Sequence, residues 1–163
     1  SLTQEKVQLF INNKVNRLSL GLQSVNDTTL QTIGRVHNFA QLKQAINFAV
    51  EGGITNINVD IIIGLPGDDP VATTCYAVSC GTNGVKFHLL HVLRGTDLEK
   101  DYLAGQFRCL ELEEYAFWLK ACLDVVPPHV VVHRITGDGA KRDLVAPAWS
   151  ADKKRVLNYL NRL

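Results

Sequence analysis

Between Asn56 and Gly64 the chain alternates strictly. Ile57, Val59, Ile61 and Ile63 fall on one side of an extended backbone, and Asn56, Asn58, Asp60, Ile62 and Gly64 on the other. An earlier stretch, Val15 to Gln23, repeats the pattern, with Leu18, Leu20 and Leu22 opposite Arg17, Ser19, Gly21 and Gln23. Both read as strands. Two more follow, Val85 to Val92 and Val130 to Ile135.

Helical spacing fills the intervals. Leu2 to Ile11 forms a short helix ended by Asn12-Asn13, and Asn26 caps a second that Gly34 stops. A third starts at Asn38, carries Phe39, Leu42, Ala45, Ile46 and Ala49 in register, and ends at Gly52-Gly53. Asp68-Asp69-Pro70 opens a fourth, marked by Val71, Cys75 and Val78. Asp97 to Ala104 is a short helix, and a longer one bearing Leu112, Tyr115, Leu119, Cys122 and Leu123 halts before Pro127-Pro128. Ser150 is the expected cap of a terminal helix reaching Leu163.

Strands alternating with amphipathic helices predict an α/β fold with a parallel sheet of about four strands, too few to close a barrel. With no linker, repeat or low-complexity tract, residues 1–163 read as one domain, half of a larger one. In such a half-barrel the apolar strand faces lie beneath helices, and the polar faces line an interior that would call for a ligand.

Composition narrows the function. The formal charge of +1 over 163 residues gives no support to a nucleic-acid-coating or membrane-surface role. No apolar run spans a bilayer and no secretory leader opens the chain. Cys75, Cys80, Cys109 and Cys122 match neither a zinc spacing nor a disulfide framework, which predicts reduced thiols in a cytoplasmic setting. The sequence contains no methionine, initiator included, as a segment of a longer protein would if its methionines lay elsewhere.

Several motifs resemble the radical S-adenosylmethionine superfamily. Arg17-Leu18-Ser19-Leu20-Gly21-Leu22-Gln23-Ser24, Gly34-Arg35-Val36-His37 and Asn58 to Gly67 are similar to the oxygen-independent coproporphyrinogen oxidase group. The second half is similar to a less characterised branch, predicted iron-sulfur oxidoreductases. Its carriers are Val85 to Thr96, His133-Arg134-Ile135-Thr136-Gly137-Asp138 and Leu144 to Ser150. The second-half motifs are the more specific and favour that branch.

The resemblance implies half of a partial (β/α)6 TIM-like barrel that works with S-adenosylmethionine (SAM) and a [4Fe-4S] cluster. By position within the motifs, Gln23, Arg35 and Asp60 would contact the cofactor, with Ile62 near its adenine. Gln23 and Asp60 also stand on the polar faces near the C-terminal strand ends, where parallel α/β folds place ligands. The family's Cys-x3-Cys-x2-Cys loop is missing, so no metal ligand is expected within this chain and the cluster ligands are expected in a preceding part. The parent would be an oxidoreductase in which a 5′-deoxyadenosyl radical abstracts hydrogen from substrate, and this stretch alone would be inactive. A coproporphyrinogen dehydrogenase and a non-catalytic ligand-binding or interaction domain are the alternatives.

Each candidate has a plainer reading. Gln23 and Asp60 could be satisfied by neighbouring backbone, and Arg35 could be a C-terminal helix cation. His88 and His91 have opposite parity on one strand, so at most one faces the interior. His133 and Arg134 precede a Gly/Asp-rich loop at a strand end, suited to substrate or to a loop-anchoring ion pair. Expected partners are a small-molecule substrate and a protein reductant. A tRNA substrate is open to this branch, although the balanced charge offers it no support. The open sheet edge predicts self-association or a further partner.

Overall fold

In the computed structural model, residues 2–137 and 139–163 are described. Asp138, part of one sequence motif, lies outside them. The chain runs α1 (Gln4–Asn12), β1 (Arg17–Gln23), α2 (Asp27–Thr32), α3 (Phe39–Glu51), β2 (Asn56–Ile63), α4 (Pro70–Ser79) and β3 (Gly84–Leu89). It continues through β4 (Val92–Leu93), α5 (Asp97–Leu103), α6 (Leu112–Asp124), β5 (Val131–Arg134), β6 (Leu144–Ala146), a 3-10 turn (Ala148–Ala151) and α7 (Lys153–Leu160). β1, β2, β3 and β5 form a parallel sheet in that order.

One face of the sheet holds the core. Ile57, Val59, Ile61 and Ile63 of β2 and Val85, Phe87 and Leu89 of β3 pack with Val7, Ile46, Ala77, Tyr115, Leu119 and Val156 from the helices. Each Ile, Val, Leu or Phe side chain among them contributes roughly 1.5–3 kcal/mol relative to exposure. A one-residue slip of β2 would move four of them to the other face, which pins its register. The opposite face bears Ser19, Asn58, Asp60, Lys86 and His133, as expected for the inner wall of a half-barrel.

Local signals account for the helix starts. Asn26 accepts from the Thr28 and Thr29 backbone N–H groups, Asn38 forms a reciprocal capping box with Gln41, and Asp69 caps α4 ahead of Pro70. Two expectations need correction. Asp152, not Ser150, caps α7 by accepting from the Arg155 N–H, while the Ser150 hydroxyl donates to the Pro147 carbonyl inside the 3-10 turn. The third strand ends at Leu89 rather than Val92. Beyond it the chain turns away, and Val92–Leu93 pair antiparallel with Leu144–Ala146. Such short pairings are set by tertiary register, which local alternation cannot reveal.

Candidate functional site

The inner floor is built from cross-strand neighbours. Gly21 stands opposite Asp60, and Asp60 opposite Lys86. Lys86 Nζ lies 3.3 Å from Asp60 Oδ1 and donates to Ser19 Oγ at 2.7 Å, while Ser19 Oγ donates to the same Asp60 oxygen at 3.3 Å. The Lys86 and Asp60 side chains are each 29% exposed, half-sheltered on an open wall. Toward the strand starts, the buried Asn58 places Oδ1 3.2 Å from His133 Nε2. That bond passes over β3 at Gly84. A Cβ there would overlap Asn58 Oδ1 and stand 2.6 Å from His133 Nε2, so only glycine leaves room for the crossing.

At the C-terminal end of β1 the backbone is strained. Gln23 has φ 63°, a left-handed conformation costing about 1–3 kcal/mol for a residue with a Cβ. The Ser24 N–H donates to the Leu22 carbonyl at 2.8 Å, which closes a three-residue turn around it. This folds the Gln23 side chain back over Gly21, where an added Cβ would lie 2.7 Å from Gln23 Nε2. Surrounding bonds hold the turn. The fully buried Ser24 hydroxyl donates to Asp68 Oδ1 and accepts from the Asn26 N–H at 2.9 Å, and the Val25 N–H donates to Thr73 Oγ1 at 3.2 Å.

Burial pushes the Asp68 carboxyl above the usual carboxylate range, opposed by hydrogen bonds from the Ser24 hydroxyl and the Asp69 backbone and reinforced weakly by the charge of Asp69. The folded protein therefore holds this proton more tightly than the unfolded chain, and the contribution of Asp68 to stability falls as pH rises from the ordinary carboxylate range through its raised value. Asp68→Asn retains an acceptor for Ser24 and removes the charge. We expect it to be more stable than wild type at neutral pH, with the advantage vanishing on acidification, as read from urea midpoints at the two pH values.

Arg35 and Ile62, placed together by motif likeness, do line one cavity of about 440 Å³ with Leu65, Leu90 and Thr96. Arg35 is exposed, and its N–H completes the end of α2 by donating to the Leu30 carbonyl at 2.9 Å. Gln23 and Asp60 do not line that cavity; they occupy the adjoining wall.

Strand parity does not separate the histidines. His91 lies past the end of β3, so both rings meet the loop after β5: a Cβ at Gly137 would stand 3.4 Å from His91 Cε1 and 3.5 Å from His88 Nδ1. Burial lowers the His88 pKa, the charge of Asp60 opposes that shift, and the charges of Arg134 and Lys86 add to it. His88 is therefore neutral at neutral pH. Arg134 forms no ion pair among the described residues, and His133 Nε2 lies 3.2 Å from Asn58 Oδ1.

Lys86 and Gly84 were not singled out by sequence. Lys86 shares strand parity with His88, a signal that the inner face continues across β3, but its partnership with Asp60 depends on sheet register. The residues suit a nucleoside better than a metal: Asp60 and Gln23 bring a carboxylate and an amide to the wall, and Arg35 with apolar Ile62, Leu65 and Leu90 lines the cavity. Among the described residues no group of three or more His, Cys, Asp or Glu side chains could hold a metal ion, so these residues do not fit an iron-sulfur cluster. Also among the described residues, no helix is long and apolar enough to cross a membrane.

Comparison with known proteins agrees with this architecture. The Radical SAM superfamily model matches residues 1–71, and the Radical_SAM C-terminal domain model matches residues 82–163. Uncharacterized protein YtqA of Bacillus subtilis is 36% identical over 148 residues, covering 89% of this chain and 46% of the relative. Heme chaperone HemW of Haemophilus influenzae is 40% identical over 62 residues, 38% of this chain and 16% of the relative. The archaeal Methanocaldococcus infernus Elp3 with an N-terminal deletion superposes with a TM-score of 0.79 at 18% identity, over 98% of this chain and 39% of that one, a likeness that speaks for the fold alone. The chain spans about half the length of YtqA and a smaller share of the other two. With both family models matched in chain order on a four-stranded parallel wall, the chain belongs to the radical SAM superfamily.

Proposed function

We propose that this chain is the cofactor- and substrate-facing half of a radical SAM oxidoreductase, with the cluster ligands supplied by another part of the parent. The observation that carries the reading is the inner wall. A strained glutamine folded over a glycine stands beside a carboxylate, and a cavity lined by Arg35 and Ile62 adjoins them. Asp60 would accept both ribose hydroxyls, Arg35 would pair with the methionine carboxylate, Gln23 would present its amide, and Ile62 with Leu65 and Leu90 would flank the adenine. When bound to a reduced cluster, SAM supplies a hydrogen-abstracting radical. The work of this chain is to orient the cofactor against substrate and shield the site from water. His88, His91, His133 and Arg134 stand on the substrate side. The free edge of β1 supports pairing with a further strand of the parent or with a second copy.

The test is anaerobic reconstitution of the full-length gene product with iron and sulfide, followed by reduction and assay for 5′-deoxyadenosine. We expect product from wild type, and an Asp60→Ala variant whose SAM affinity falls by roughly 10–100-fold, the loss of hydrogen bonds to a charged group. Absence of 5′-deoxyadenosine would overturn the catalytic reading. The likeness to HemW, whose name denotes a heme chaperone, supports a second reading, ligand binding without turnover. Heme uptake with no 5′-deoxyadenosine would favour it.

A further inference from the structure

We propose that the substrate carries an anionic group, a carboxylate or phosphate, which Lys86 receives once the cofactor has taken Asp60 from it. The inference rests on the cofactor reading above. The geometry of the Ser19–Asp60–Lys86 cluster supplies the rest.

Asp60 Oδ1 already accepts from Ser19 Oγ and is paired with Lys86 Nζ. A carboxylate oxygen has about two acceptor positions; Ser19 takes one on Oδ1, and the Lys86 ammonium, 3.3 Å away with its own 2.7 Å bond going to Ser19 Oγ, stands against the other. A ribose cis-diol engages both carboxylate oxygens, which requires Oδ1 to release a donor. Lys86 is the mobile one, a point charge on a flexible stem, whereas Ser19 is fixed close to the β1 backbone.

The released ammonium would keep its 2.7 Å hydrogen bond to the Ser19 hydroxyl, a neutral partner that leaves its charge unbalanced. Beside Asp60, the charges acting on His88 from this floor are both positive, Lys86 and Arg134. SAM adds a sulfonium and an ammonium against one carboxylate, so the occupied pocket gains a net positive charge. His88, kept neutral, contributes a dipole and no charge. A half-sheltered cation without a counter-charge is costly, and an incoming anion removes that cost. Cofactor and anion therefore bind with positive coupling, and by reciprocity each raises the affinity for the other. Before the cofactor arrives, Asp60 already balances Lys86, so an anion gains less there.

The experiment uses the full-length gene product. SAM is titrated calorimetrically into wild type, Lys86→Met and Lys86→Arg, and His88 imidazole resonances are followed as inorganic phosphate or acetate is added, with and without SAM. Without substrate, Lys86→Met should bind SAM about two- to fivefold more tightly, the size of a partly exposed ion pair removed as competitor. In wild type either anion should move the His88 resonances more strongly with SAM present. Lys86→Met should abolish that response and Lys86→Arg restore it, and the more effective anion names the substrate class. Weaker SAM binding by Lys86→Met would overturn the handover, because Lys86 would then be supporting Asp60. An anion response unchanged in Lys86→Met would overturn the anion site. If wild type takes up no SAM, the cofactor reading and the handover fall together. A SAM-independent anion response lost in Lys86→Met would then leave Lys86 as an anion site alone.

Discussion

Gly84→Val is expected to lower stability by about 2–4 kcal/mol, combining overpacking with a buried amide stripped of its partner. At this position the first carbon beyond the backbone meets Asn58 Oδ1, and the imidazole of His133 stands 2.6 Å away. Neither neighbour can yield cheaply. Asn58 is 2% exposed, and moving His133 breaks its 3.2 Å contact with Asn58. The side chain would also fall between β2 and β5, whose separation is fixed by the pairing of each with β3. Chemical denaturation should show a lower midpoint at unchanged slope. A midpoint equal to wild type would mean that the Asn58–His133 crossing does not constrain the sheet.

Gly21→Val should do the reverse, sparing the fold and damaging the site. The nearest atom to an added Cβ is Gln23 Nε2 at 2.7 Å, the far end of a flexible side chain that can swing away. The backbone at Gly21 is not left-handed, so valine meets no conformational penalty there, and β-branching suits a strand. Stability is expected to stay within about 1 kcal/mol of wild type. The swing would carry the Gln23 amide off the wall beside Asp60 and put methyl groups where the cofactor is proposed to lie. SAM affinity of the full-length protein should fall roughly 100-fold, or about 2.7 kcal/mol. Calorimetric titration beside a denaturation curve separates the two effects. Unchanged affinity would place the nucleoside elsewhere.

The two glycines show how far the linear code reaches. Gly21 could be placed on the polar face of its strand by alternation alone, next to Ser19 and Gln23 on the same ribbon. Gly84 could not be interpreted, because its neighbours Asn58 and His133 lie 26 and 49 residues away in the numbering. Asp60 was recognisable as an inward carboxylate, but its engagement by Lys86 and Ser19 was not. Alternation puts Gln23 at the C-terminal end of its strand, and β1 ends there. Its left-handed backbone was not foreseeable, since glutamine has no preference for that region and the turn is imposed by Ser24, Asp68 and Thr73.

The linear sequence carries the succession of strands and helices, the apolar face of β2 and the helix caps at Asn26 and Asn38. These rest on periodicity and on hydrogen bonds spanning two or three residues. It also supplied the motif likeness by which the superfamily was named. Tertiary structure alone decided where β3 stops, that both His88 and His91 meet the Gly137 loop, and that Asp152 starts α7. It alone joined Asp60 to Lys86 across the sheet. Those outcomes depend on strand register and on loops closing over distant partners, and their energies are differences between whole arrangements of the chain rather than properties of any local stretch.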